Sequence, residues 1–234
     1  MNIYDKDQAV NDNQSFFDAY NQFIFADDRN TFNKLMWRLR FYDMTKHLTG
    51  NIVECGVFKG SGMMAFVKML MMDEPNSIKK VIGFDRFNPS EVLDGLLGNE
   101  RDLMEQVFER AGDNISADVS YKAVAERFAG AMIPDDKYEL HQVDLCSNDL
   151  SKFLDDREGF RISLLYMDLD VYYPTFETLA YLWDRVVDGG VVVFDEYGYD
   201  VWSESIAVDE FFTWKDQTII QTGVKSPTAY LVRK

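Results

Sequence analysis

The sequence predicts an α/β fold, a mostly parallel sheet with helices on both faces. Three observations carry this expectation. From residue 50 onward, short apolar runs alternate with stretches whose apolar residues recur at helical spacing. The runs that read as parallel strands all end in a carboxylate: Glu54, Asp85, Asp144, Asp168 with Asp170, and Asp195 with Glu196. A glycine-bearing turn over residues 56–62 joins the first such run to a helix.

The elements follow in order. Residues 1–30 are polar with interspersed aromatics (Phe16, Phe17, Tyr20, Phe23, Phe25) and read as an N-terminal arm packing on the body or on a neighbouring subunit. Over residues 31–47, Phe32, Leu35, Met36, Leu39 and Tyr42 mark a helix that Gly50 ends. Residues 52–55 form a first strand, 61–72 an apolar helix and 81–85 a second strand. Residues 86–136 are too long for a simple crossover. They hold two helix-like segments, 100–110 and 121–131, in what is either a lid over the active edge of the sheet or a packing elaboration. Strands at 138–143 and 162–168, a helix over 174–187, and a Gly189-Gly190 turn into the strand 191–194 come next. A helix over 205–212 and an antiparallel pair, 218–221 and 228–232, complete the chain. The sum is one Rossmann-like domain over residues 31–234, with seven strands of which the C-terminal one is antiparallel.

Composition narrows the function. Hydrophobic residues make up 47% and charged residues 27% of 234, enough to bury one core. An aromatic share of 15% with eleven Met reads as core filler or as the wall of a pocket for a flat or sugar-like ligand. Forty Asp+Glu against 24 Lys+Arg give a formal charge of −16. A field of that sign repels phosphate backbones, so nucleic acid is not an expected substrate, while cations are tolerated. Cys55 and Cys146 are too few for a disulfide framework and read as reduced core residues. The polar N-terminus has no signal-peptide core and no apolar run nears the roughly 18 residues of a membrane span, so a cytoplasmic enzyme away from membranes is expected.

In such sheets ligands bind outside the carboxyl ends of the strands, where the strand order reverses. The turn at Gly56, Gly60 and Gly62 lacks the G-x-G-x-x-G of dinucleotide binders, and an acid opens it. It therefore suits a zwitterionic amino-acid group, with Glu54 taking an ammonium and Ser61 with nearby N–H groups taking a carboxylate. Asp85 is placed for both hydroxyls of a ribose and Asp144 for an adenine amino group; each serves equally well as a helix cap. Together with the glycine turn they favour an adenosyl ligand. Asp168, Asp170, Asp195 and Glu196 stand on adjacent strand ends, where unrelieved repulsion is costly. A divalent cation such as Mg2+ relieves it and lowers the pKa of a bound hydroxyl, while a spare carboxylate takes the proton. The alternative is one proton-holding carboxyl plus helix caps. His47, near a helix end, and His141, within a strand, read as structural.

Four motifs in order, Ile-Val-Glu54-Cys-Gly-Val-Phe-Lys-Gly60-Ser, Gly-Phe-Asp85-Arg-Phe, Asp168-Leu-Asp170-Val-Tyr-Tyr-Pro-Thr and Gly-Gly-Val-Val-Val-Phe-Asp195-Glu196-Tyr-Gly, resemble the macrocin O-methyltransferase (TylF-like) family over about residues 35–213. The resemblance implies the methyltransferase form of the fold, S-adenosylmethionine and Mg2+ as cofactors, a sugar hydroxyl as acceptor, and a homodimer or larger homo-oligomer. It implies Asp168, Asp195 and Glu196 as metal ligands, the last where the family usually has Asp. Asp170 matches a proposed base, with Asp168 beside it in the catalytic set. Glu54, Gly56, Phe58, Lys59, Gly60, Ser61 and Asp85, with Asp144, form the implied cofactor set. The segment after Asp85 departs from the family pattern, so the acceptor does not transfer. The rival readings are a metal-independent methyltransferase on another acceptor, a cephalosporin-hydroxylase-like protein, and a non-catalytic homologue.

Overall fold

The structure is a computed structural model that describes residues 6–234, with side chains from residue 14 on. Two helices lead in, α1 (Lys6–Phe25) and α2 (Arg29–Thr45). The Asp28 carboxylate starts α2 by accepting from the N–H groups of Asn30 at 2.9 Å and Thr31 at 3.2 Å. The segment expected as an arm is thus largely helical, and it leaves Phe16, Phe17, Tyr20 and Phe25 exposed.

The sheet runs β1 (Asn51–Cys55), β2 (Val81–Asp85), β3 (Tyr138–Gln142), β4 (Ile162–Met167), β5 (Val186–Phe194), β6 (Ile220–Gln221) and β7 (Ala229–Val232). Its spatial order is β3-β2-β1-β4-β5-β7-β6, with β1 to β5 parallel and β7 antiparallel to both neighbours. The order reverses between β1 and β4, so the crevice for a ligand lies outside their carboxyl ends. β5 begins earlier than the sequence suggested. Gly189-Gly190 does not precede the strand but forms an irregularity inside it, where pairing jumps from Ile162↔Val186 to Leu164↔Val191.

Alternation along the strands feeds two apolar layers. Leu164 and Tyr166 pack with Phe41 and Tyr42 of α2, Met63, Phe66 and Leu70 of α3 (Ser61–Asp73), and with the helix that ends the insertion. Leu165 and Met167 face the other layer, built from α8 (Asp149–Leu154), α9 (Tyr172–Leu182) and α10 (Glu204–Phe212). The insertion after β2 holds four helices, α4 (Pro89–Asp94), α5 (Gly98–Ala111), α6 (Ile115–Asp118) and α7 (Tyr121–Gly130). α5 and α7 answer to the two expected segments. Cys55 is buried in the core, whereas Cys146 is exposed in the loop after β3. No helix among the described residues is long and apolar enough to cross a membrane.

The edge strand β3 is tied down by charge. Glu139 accepts from Lys80 Nζ at 3.0 Å and Arg157 Nη1 at 2.9 Å, and its other contact is His141 Nε2 at 3.0 Å. Burial opposes the charged form, but these three partners outweigh it and hold the carboxyl down at about 2. A depressed acid stabilises the fold above its ordinary value of 4.5, and loses that contribution as pH falls from there toward 2. Glu139→Gln is therefore expected to cost about 1–3 kcal/mol at pH 7 in urea unfolding, allowing for solvent screening. The gap to wild type should narrow as pH falls below 4.5 and close only near pH 2; a gap independent of pH would show that packing, not charge, is the cause.

Candidate active site

At the carboxyl edge of the sheet a cavity of about 900 Å3 opens. Its floor is made where β1 and β4 end. The Asp168 N–H donates to the Cys55 carbonyl at 2.9 Å, and the Asp195 N–H donates to the Met167 carbonyl at 3.1 Å, so the strand ends stay in step. Gly56 turns away with φ +90°, and a Cβ there would come within 2.0 Å of the Asp168 carbonyl oxygen. Only glycine lets the chain leave β1 this close to β4. Of the residues expected from the sequence, Gly56, Phe58, Asp85, Asp144, Asp168, Asp170 and Glu196 line the cavity.

One end of the cavity has the features of a nucleoside site. Asp85 Oδ2 accepts from the Phe58 N–H at 2.8 Å and Oδ1 from the Phe87 N–H at 2.7 Å. These amides fix the carboxylate where it lines the cavity. Val143, Asp144 and Leu145 follow β3 along the wall, giving an apolar edge beside a polar one. Asp144 Oδ1 accepts from Arg86 Nη2 and from the Cys146 N–H, the latter at 2.9 Å. The cavity with Gly56, Asp85 and Asp144 fits an adenosyl group in size and chemistry.

Four expected cofactor residues lie elsewhere. Glu54 is buried, with its Oε1 2.8 Å from Arg38 Nη2 of α2, and does not line the cavity. Lys59 turns outward to the Ala111 carbonyl at 3.1 Å and to Asp118 at 3.6 Å. Gly60 and Ser61 start α3 away from the cavity wall.

The other end gathers carboxylates. Asp195 is fully buried and each of its oxygens accepts a hydrogen bond, Oδ1 from the Tyr166 hydroxyl at 2.6 Å and Oδ2 from Ser226 Oγ at 2.6 Å. The Lys34 ammonium, from α2, stands between Asp195 Oδ2 at 2.8 Å and Asp168 Oδ2 at 2.9 Å. Burial would raise Asp195, but Lys34, Ser226 and Tyr166 outweigh it and hold the carboxyl below its ordinary value. The remaining acids go the other way. Burial, then Asp168 and Asp195, push Asp170 up to about 8, and burial, then Asp195 and Asp170, push Glu196 up to about 9. Glu204, fully buried, accepts from the Glu196 N–H at 2.8 Å and is raised as well. The cluster therefore holds protons on several carboxyls rather than bearing full charge.

This arrangement bears directly on the expected metal. Among the described residues no three His, Cys, Asp or Glu side chains are disposed to hold a metal ion. Asp195 Oδ2 accepts from Ser226 and pairs with Lys34, Oδ1 accepts from Tyr166, and the Lys34 ammonium stands where a cation shared with Asp168 would sit. Asp168, Asp195 and Glu196, as placed, do not fit a divalent ion.

Lys34 and Arg38 are the site residues that the sequence reading passed over. Their signal was present: two cations four residues apart, in step with Tyr42, on the apolar face of a helix whose other members are Phe41 and Thr45. A cation on a buried face needs a buried acid, and Glu54, Asp168 and Asp195 were the acids at hand.

A family model, Macrocin-O-methyltransferase (TylF), matches residues 41–225. No curated protein matches the sequence. Among solved structures, CalS11, a calicheamicin methyltransferase, is similar with a TM-score of 0.70 at 20% identity, over 92% of this chain and 83% of that one. The apo form of CalS11, described as a TDP-rhamnose 3'-O-methyltransferase, gives 0.65 at 21% identity over 92% and 84%. The O-methyltransferase NovP gives 0.67 at 20% identity over 86% and 79%. These likenesses establish the fold, a seven-stranded methyltransferase sheet.

Proposed function

Since the chain belongs to the macrocin-O-methyltransferase (TylF) family and is an S-adenosylmethionine-dependent O-methyltransferase, we propose that it methylates a sugar hydroxyl on a small molecule with an apolar body. The observation that supports this most is the continuity of the cavity. Asp85 and Asp144 line one end, Asp168, Asp170 and Glu196 the other, with no wall between them. The acceptor end is roofed by Leu96, Met104, Val107 and Phe108 of the insertion and by Trp202 and Ile206, which suits an apolar scaffold. Its charged groups are mostly carboxylates, and the two cations are already engaged, Lys34 by Asp168 and Asp195 and Arg86 by Asp144, so a sugar diol is favoured over a phosphorylated acceptor. In this reading the insertion acts as a lid, one of the two roles open to it from the sequence, the other being a packing elaboration.

S-Adenosylmethionine supplies a methyl group on a sulfonium, which an oxygen nucleophile can take in line. Asp85 orients the ribose and Asp144 the base. Asp170 receives the proton of the acceptor hydroxyl. Its backbone sits at φ +63°, a conformation costly for a non-glycine residue, and the Glu204 N–H holds its carbonyl at 3.1 Å. Strain retained at a cavity-lining acid points to a working position. The apolar roof limits the water that can reach the methyl group.

Asp85→Ala is expected to weaken binding of S-adenosylhomocysteine by roughly 10–100-fold in calorimetry, the loss of a charge-assisted pair of hydrogen bonds. Unchanged affinity would remove Asp85 from the cofactor site and with it the orientation proposed here.

A further inference from the structure

The positive charge in the carboxylate cluster belongs to the chain itself. Resting on the methyltransferase reading above, we propose that Lys34 is the resident cation of the methyl-transfer site, so that the acceptor oxygen is oriented by an ammonium and the reaction runs without a divalent metal. The ammonium is 2.9 Å from Asp168 and 2.8 Å from Asp195, the acids that follow the adjacent strands β4 and β5. It is delivered by a rigid element. One turn further along α2, Arg38 makes the buried pair with Glu54, and its guanidinium carbon lies 3.9 Å from the centroid of the Tyr166 ring. Tyr166 in turn donates to Asp195, so the helix, the strand and the acid lock one another.

An ammonium has three N–H donors. Asp168 and Asp195 take two, and no third partner exists among the described residues. Lys34 nevertheless lines the cavity, with Asp168, Asp170 and Glu196 around it. The remaining donor can therefore meet an acceptor oxygen beside Asp170. In the step that follows, the acceptor O–H proton passes to Asp170 and the oxygen forms its bond to the methyl carbon. The carbon–sulfur bond breaks with its electron pair left on sulfur, giving S-adenosylhomocysteine. Lys34 keeps its proton throughout and stabilises the charge that builds on the oxygen.

Mn2+ binding, read from the loss of the free-ion electron paramagnetic resonance signal, tests this on wild type, Lys34→Ala and Lys34→Gln. The wild type is expected to leave millimolar Mn2+ free and to turn over equally in EDTA and in Mg2+. Removing the ammonium leaves an anionic hole, so at least one variant is expected to bind Mn2+ roughly tenfold more tightly or better. Wild-type binding of Mn2+ that Asp168→Asn abolishes would overturn the proposal, and so would variants that exclude the ion as the wild type does. S-Adenosylhomocysteine titrated into the same samples separates the two readings. Wild type that binds no S-adenosylhomocysteine fails as a methyltransferase, whatever Mn2+ does.

Discussion

Asp170→Asn is expected to lower kcat by roughly 10²–10⁴-fold while leaving S-adenosylhomocysteine affinity nearly unchanged. The amide has the shape of the acid but cannot take a proton. Asp170 lines the acceptor end of the cavity, and no hydrogen bond among the described residues engages its carboxyl oxygens. Burial, with Asp168 and Asp195 alongside, pushes its carboxyl up to about 8, so the empty site holds this proton at neutral pH. A base must first lose its proton, so the rate should rise with pH through a limb no higher than about 8. The sulfonium charge, when present, pulls that limb lower. Steady-state kinetics on both proteins across pH 5–10 checks this. A variant that keeps wild-type kcat, or one that loses cofactor affinity in proportion, would take the base role away from Asp170.

Arg38→Ala is expected to cost about 3–5 kcal/mol of stability, because it strands a buried carboxylate. For a domain of this size that is a fall in Tm of roughly 6–20 °C. The Arg38 and Glu54 side chains are 7% and 1% exposed, and their pair at 2.8 Å lies directly under Gly62, where a Cβ would come within 2.5 Å of both. Glu54 Oε2 and Arg38 Nη1 have no partner among the described residues, so each group depends on the other. Burial pushes Glu54 up to about 7 even against the guanidinium. An acid raised in the fold stabilises least once ionised. Without the guanidinium that acid rises further, so wild type and variant lose stability in parallel up to about pH 7, and the deficit of the variant should grow above it. Arg38→Met with Glu54→Gln removes both charges and should recover most of the loss. A single variant that melts like wild type would show the pair to be dispensable, and Lys34 would then need another anchor.

Much of this architecture was legible in the sequence because parallel strands buried on both faces are continuous apolar runs, and β1, β2 and β4 have no other reading. The acids at their ends were equally visible, since the fold puts strand termini at the site. What the pattern could not show was which way each acid turns. Glu54 and Asp85 look alike at strand ends, yet one goes beneath the sheet edge to Arg38 and the other to the amides of Phe58 and Phe87. That choice is made by α2, more than 130 residues from Asp168 in the chain, and no local signal pairs Lys34 with Asp168. The metal expectation arose from counting acids without their cation. Gly189-Gly190 misled for a different reason: glycine marks irregular backbone, and a bulge inside β5 is as irregular as a turn before it.

The most direct test of the account is methyl transfer itself. Purified protein would be incubated with S-[methyl-13C]adenosylmethionine and a panel of glycosides bearing apolar aglycones, and the products read by mass spectrometry and NMR. A gain of one labelled methyl group, with the carbon shift of a methoxyl on the sugar ring, is the result expected. Label on nitrogen or on a carboxylate, or no transfer to any glycoside by protein that binds S-adenosylhomocysteine, would contradict it.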